Sequence, residues 1–395
     1  MKLARLCSMA VLAALVLLML PGITLASAAM PSDGADAVAG GVASVIDGID
    51  WRPLDEALRD TPLVEGGSAS ELVRKLAQGE AVLDADGMVR LLGSLLGREA
   101  TDSMQLMLRI VVLAALGGIM HQMRGAFGSG SVSAAGRFTV LLLCLAPMTL
   151  DLSQLIDAGG GAVRRMAALT QNVSPALLTL LAAVGGGATA AAFQPALAGA
   201  TGFAVTLIAG FIMPCLLSSA ALLAVDALGE KPKLERLVML LRSACHWMLG
   251  AAFTALLAVT AMQGAMAASY DGISLRTAKF AVDRLVPVVG GMFADSMDVL
   301  VGCTVLVKNG FGVVGVIALL SYALMPVLRI AAAVGCYRLA AAVLEPVADP
   351  SLLRCLSNFA AILTTLLVAV ISAAAIFVIT VAMLGSAGGT IAMIR

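Results

Sequence analysis

The sequence predicts an all-α, polytopic transmembrane helical bundle preceded by a small helical extracytoplasmic arm. Three observations carry this. Of 395 residues, 60% are hydrophobic and only 13% are Asp, Glu, Lys or Arg, about half the ~25% charged share of soluble domains. Mean hydropathy is +1.00. The apolar residues are gathered into long uncharged runs, which lipid rewards and water does not. A formal net charge of +0 says nothing about partners; where the charges sit says more, and the lack of a basic patch of useful size argues against nucleic acid.

At the amino terminus, Lys2 and Arg5 precede an apolar run from Leu6 to Leu20, then Pro21-Gly22 and Ala26-Ser27-Ala28-Ala29. A basic start, an apolar core and an A-x-A ending describe a signal peptide over 1–29, cleaved near Ala28. An uncleaved first anchor is the alternative. Either way the next residues belong outside the inner membrane.

Residues 30–104 are expected to form a small helical extracytoplasmic region. The stretch 33–48 is Gly/Ala-rich and reads as flexible; Pro53 and Pro62 punctuate the residues after it. Ser68-Ala69-Ser70-Glu71 fits a capping box, with the Ser68 hydroxyl covering a free N–H. Leu72, Val73 and Leu76 then recur at helical spacing, as do Met88, Leu91, Leu92, Leu95 and Leu96. Such an arm is too small for a strong core of its own, so its stripes pack, dock a partner or rest on the membrane surface.

The transmembrane domain is expected over 105–395, with six to eight spans of about 20 residues each. The candidates are Ile110–Met123, Phe138–Ile156 with Asp151 inside, two or three spans in the charge-free stretch Met166–Val225, Ser243–Tyr270, a weaker Leu285–Val307, Asn309–Leu328, and Cys355–Ile394. Orientation follows from basic loops. Arg124 and Arg137 flank one; Lys231, Lys233, Arg236 and Arg242 form another. Both belong in the cytoplasm, so an even number of crossings separates them. Phe138–Ile156 and Leu197–Val225 supply two, leaving Pro175 to Pro195 re-entrant or broken.

Candidate functional positions come from glycines and from charges at membrane depth. Gly185, Gly186 and Gly187, followed by Ala188-Thr189-Ala190-Ala191-Ala192, present almost no side-chain bulk. They suit close helix packing or, with Pro195 nearby, a broken helix at a pore or substrate path. Asp295 and Asp298 sit three apart and share a helix face. They line a polar path, or they sit wet at the interface. Upstream, Arg276, Lys279 and Asp283 share one helical side, its cations placed to pair with those carboxylates or to meet headgroups. Arg329, Arg338 and Glu345 are near enough to segment ends to snorkel.

Chemistry is otherwise sparse. The seven cysteines are scattered singly and read as packing residues. His121 and His246 lie far apart, and no zinc spacing occurs. GxxxxGK[ST], GxSxG and HExxH are absent. No catalytic residue, cofactor or metal is therefore expected, and the chain does not read as an enzyme.

One stretch has a familiar pattern. Tyr270-Asp271-Gly272-Ile273-Ser274-Leu275-Arg276-Thr277-Ala278-Lys279-Phe280 resembles the signature of the stage III sporulation protein AE family. So do Pro287-Val288-Val289-Gly290-Gly291-Met292-Phe293-Ala294-Asp295-Ser296-Met297-Asp298, Leu306-Val307-Lys308-Asn309, the Gly185–Pro195 segment, and Tyr337-Arg338-Leu339-Ala340-Ala341-Ala342 with Glu345-Pro346. The resemblance covers most of residues 70–395. It implies a multi-pass protein of the mother-cell membrane surrounding the forespore. The implied partners are the other stage III sporulation A-operon proteins, AA to AH, of which AA is ATPase-like, and stage II sporulation protein Q. Together they would form a channel that supports forespore development, with this chain as channel or export-gate subunit and a homo-oligomer among its arrangements. The resemblance transfers no catalytic residue. Two other classes stay open: a stand-alone secondary transporter, and a non-conducting scaffold for ring-forming partners. A transporter should show internal repeats, and none is convincing here.

Overall fold

The computed structural model describes residues 35–59, 68–77, 130–229, 234–259, 290–346, 348 and 350–387, with isolated positions between 94 and 115. The signal-peptide region, the stripe Met88–Leu96, most of Ile110–Met123 and the stretch 260–289 lie outside the described residues.

Every described element is helical. The arm comprises α1 (Ala35–Asp47), α2 (Arg52–Arg59) and α3 (Ala69–Ala77). The bundle comprises α4 (Gly130–Ala183), α5 (Gly187–Val205), a π-helical segment Thr206–Ile212 leading into α6 (Met213–Leu228), α7 (Glu235–Val259), α8 (Gly290–Leu344) and α9 (Pro350–Ser386). Five stretches among the described residues are long and apolar enough to cross a membrane: Phe138–Ala183, Gly187–Leu228, Glu235–Val259, Leu300–Leu344 and Pro350–Ser386.

Several boundaries differ from those expected. The 33–48 stretch is helical from Ala35 rather than flexible. Phe138–Ile156 does not stop but runs on to Ala183, through Pro147 and Pro175. Leu285–Val307 and Asn309–Leu328 are not separate spans, because one helix covers Gly290–Leu344. The expected basic loop is shorter. Arg236 and Arg242 lie on α7, whose start is fixed where the Leu234 N–H donates to Asp226 Oδ1 at 2.9 Å.

The chain reverses at Val184-Gly185-Gly186, not at either flanking proline. Gly185 takes φ 97°, a left-handed conformation that favours glycine, so the break lands on it. Pro195 lies inside α5. Pro214 has a different effect. It has no N–H to offer the Gly210 carbonyl and its ring crowds that group. The wider π turn just before it absorbs the crowding.

Contacts give the helix directions. Arg338 reaches Thr364 Oγ1 at 3.0 Å, while Gly312 abuts Gly385, so α8 and α9 are antiparallel. The Tyr337 hydroxyl meets Asp151, and Val173 lies beside Gly315, so α4 also opposes α8. The α5–α6 arm folds back along α4, bringing Met213 against Gly159 and Gly160. Consequently the start of α4, the α6–α7 connection and the α8–α9 connection share one end. The α4–α5 turn and the end of α9 share the other. Two passes along the bundle thus lie between the start of α4 and the start of α7.

The arm docks at that second end. Leu54, Ala57, Leu58, Ala69, Leu72 and Val73 are buried. Trp51 stacks at a tilt on Phe311 of α8, ring centroids 5.2 Å apart, and donates its indole N–H to Ile46 O at 2.9 Å. Ser68 Oγ accepts from the Glu71 N–H at 3.3 Å, as the capping box requires. The Glu71 carboxylate faces Lys75 at 3.5 Å instead of turning back. Asp55 Oδ1 accepts from the Ala69 N–H at 2.7 Å, tying α2 to the start of α3. At the exposed tip, the hydrogen bonds from Arg52 hold the Asp50 carboxyl below its ordinary value.

Lipid tails are as apolar as leucine, so burial of apolar area drives helix association weakly inside a membrane. Close approach and polar pairing matter more. α9 is the central helix, buried along most of its length, and packs on α4 and α8. Buried hydroxyls are satisfied within their own helices: Thr170, Thr201, Ser321 and Thr380 each donate to the carbonyl four residues back at 2.7–2.8 Å.

Candidate functional site

Three features break the apolar monotony of the bundle, and each is built from few residues. The first is the α4–α5 tip. A Cβ on Gly186 would sit 2.8 Å from Leu181 Cδ1 and 3.0 Å from Leu181 O, whereas one on Gly187 would meet nothing within 4 Å. The residue that must stay small is therefore Gly186, and Gly185 is set by its φ. Pro195 is exposed two turns into α5.

The second is Lys308, fully buried on α8. Its ammonium donates to Gly385 O at 2.6 Å and to Ala387 O. A helix end leaves carbonyls without partners and carries partial negative charge. Lys308 supplies both a donor and the opposite sign there, pinning the end of α9. Just beyond, Gly312 and Gly385 meet backbone to backbone: a Cβ on Gly312 would lie 3.0 Å from Gly385 Cα.

The third is Asp151 on α4, whose Oδ2 accepts from the Tyr337 hydroxyl of α8 at 3.1 Å. Tyr337 is buried and Asp151 half-buried. An ionisable group at such a position is tolerated where a partner holds it. Tyr337→Phe deletes the donor and leaves the carboxylate, so it should destabilise the chain by about 1–3 kcal/mol. Asp151→Asn keeps an acceptor and should be milder. Thermal unfolding of the detergent-solubilised chain orders the two, and equal losses would contradict the assignment.

At the same end, Glu235, Glu345, Arg354, Ser357 and Asn358 border an open groove of about 350 Å³ between α7, α8 and α9. Among the described residues no group of three metal-ligating side chains converges. Cys144, Cys245, Cys303 and Cys355 are buried and lie outside any disulfide.

The positions singled out from sequence scatter. Gly185, Gly186 and Gly187 form the α4–α5 tip, and Pro195 lies two turns further along α5. Asp295 and Asp298 lie on the first turns of α8, with their side chains outside the described set. Arg276 and Lys279 lie outside the described residues. Sequence reasoning passed over Lys308 and the Asp151–Tyr337 pair as sites. A signal existed for each: Lys308 is the one cation between two apolar stretches, and Asp151 interrupts another.

Taken together, the fold and these tethers define a polytopic α-helical membrane protein in which buried Lys308 is tied to a helix end and buried Tyr337 to a helix crossing. The chain belongs to the Stage III sporulation protein AE family, whose model matches residues 68–388, from the start of α3 to the end of α9. It is 30% identical over 295 residues to the Stage III sporulation protein AE of Bacillus subtilis (strain 168), covering 75% of this chain and 73% of that protein. No solved structure matches it. Family membership supports a role in sporulation for a membrane-embedded chain.

Proposed function

We propose that this chain is a membrane subunit, a channel or export-gate component, of the trans-envelope complex linking mother cell and forespore. It would sit in the mother-cell membrane surrounding the forespore. Its partners would be the other stage III sporulation A-operon proteins and stage II sporulation protein Q. The observation that carries the reading is the extent of the family match: residues 68–388 take in the whole helical bundle. The domain plan fits it, with a signal peptide over 1–29, an extracytoplasmic region over 30–104 and membrane helices over 105–395. The absence of any catalytic constellation in the sequence fits a conduit better than an enzyme.

The test is affinity capture of the tagged, cross-linked full-length chain from sporulating cells. The expected result is co-recovery of the other A-operon proteins and stage II sporulation protein Q. Recovery of the chain alone would overturn the subunit reading. Saturable solute movement by the purified chain in liposomes would replace it with a transporter. A gate should also depend on its hairpin tip. Gly186→Leu should strain that turn by about 1–3 kcal/mol and lower the yield of heat-resistant spores. Gly187→Leu, in open space, should leave the yield near the parental level.

A further inference from the structure

The exposed surface of the bundle has two characters. On α5, α6 and α7 it is apolar: Phe203, Phe211, Leu217, Leu240 and Trp247 are exposed, Trp247 to 79%. These are side chains suited to acyl chains. On α4 it is polar. Gln154, Asp157, Arg164, Arg165, Gln171 and Asn172 are all exposed. At 100° per residue they fall within a sector of about 120°, so they form one face. Gly161, Ala168 and Pro175 continue it with little bulk. The opposite face is buried, with Leu155, Val163, Met166, Thr170, Val173 and Leu177 packed inside.

Among the described residues, no ion pair or side-chain hydrogen bond holds these six groups. Moving the bilayer along the apolar stretch Phe138–Ala183 leaves some of these groups inside it. A span takes about 20 residues. Any 20-residue window within Phe138–Ala183 contains at least two of the six; the extreme windows, 138–157 and 164–183, hold Gln154 with Asp157, and Arg164, Arg165, Gln171 with Asn172. Charged and amide side chains avoid acyl chains and turn toward water or protein. Tight helix-to-helix contact is a poor fit, because two adjacent arginines and an aspartate would each need a matched partner, and desolvating them is costly.

We propose that this face of α4 looks onto water within the assembled membrane complex and forms one wall of an aqueous passage. The passage is closed on its other sides by neighbouring chains, and α5–α7 face lipid. This rests on the subunit reading above and deepens it by naming the conducting face.

The experiment is thiol accessibility in the full-length chain, in membranes of sporulating cells that hold the native partners. Cysteine replaces, one at a time, Gln154, Asp157, Arg164 and Gln171 on the face, Leu155 and Val163 in the core, and Leu240 on the apolar side of α7. The probe is a membrane-impermeant charged maleimide, with the parental chain as background. Thiolate forms in water and not among acyl chains, so face positions should label about tenfold or more faster than Leu240→Cys and the core controls. Labelling no faster than Leu240→Cys would overturn the proposal. Gln154→Cys and Gln171→Cys change no charge and decide the matter alone if the charge variants do not fold. Capture of the partners distinguishes the two failures. With partners bound and the face silent, only the wall assignment falls. With no partners captured, the subunit reading falls and takes the passage with it.

Discussion

Gly312→Leu should prevent α8 and α9 from closing on each other and should be among the most destabilising single changes in the chain. Even a bare Cβ at that position would lie 3.0 Å from Gly385 Cα, and the reciprocal Cβ on Gly385 would lie 3.2 Å from Gly312 Cα. The obstacle is backbone, which cannot rotate aside as a side chain can. Overpacking costs about 1–3 kcal/mol in ordinary cores. Here the upper part of that range or more is expected, because α9 is the central helix. Lipid also offers no compensating hydrophobic drive. Thermal unfolding of the detergent-solubilised protein, followed by loss of the monodisperse peak, should show a graded series with Gly312→Ala between parent and Gly312→Leu. Gly335→Leu is the control, since nothing lies within 4 Å of that Cβ. A Gly312→Leu protein that unfolds with the parent would mean the two helices do not cross there.

Lys308→Ala is expected to have an effect of similar size by a different route. It strips the donor from Gly385 O and Ala387 O while those carbonyls remain in place. Hydrogen bonds from a charged group contribute about 1.5–3 kcal/mol each, and an orphaned buried acceptor adds its own penalty. Lys308→Met restores bulk but not the donor. If the hydrogen bonds matter more than the volume, Met and Ala should lose nearly the same stability, about 3 kcal/mol. Were Met to match the parent, the ammonium would be a tolerated burden, as some buried charges are. Because Lys308 and Gly312 act on the same helix end, their combined loss should fall short of the sum of the single losses.

Much of this architecture was legible in the residues, and the reasons differ by element. The membrane class follows from charge depletion, which no tertiary context can reverse. The interruption between α4 and α5 follows from Gly185, whose backbone freedom the turn uses. The helix lengths were harder to read. Asp151, Asp157, Arg164 and Arg165 divide α4 by hydropathy, yet none of them breaks a helix, so the backbone continues to Ala183. Pro147, Pro175 and Pro326 likewise lie within continuous helices. Hydropathy marks where lipid is comfortable; caps and glycines mark where helices end, and in this chain the two sets of marks do not coincide. Tethers such as Lys308 to the end of α9 join residues 77 and 79 positions apart. No local pattern encodes such a pairing. Asp295 and Asp298 drew notice as a closely spaced acidic pair, whereas a single Lys or Tyr became conspicuous only once its burial was seen.

The helices also set a ruler for whatever meets this protein from either compartment. At about 1.5 Å per residue, the 37 residues of α9 reach nearly twice the ~30 Å thickness of the hydrocarbon layer. The turns joining α4 to α5, α6 to α7 and α8 to α9 are each only a few residues long. Among the described residues, receptors, antibodies and proteases approaching from water would therefore find rigid helical flanks standing proud of the headgroups and short connections between them. Recognition of the described helices should read side-chain spacing along those flanks, and insertions inside them should be tolerated poorly.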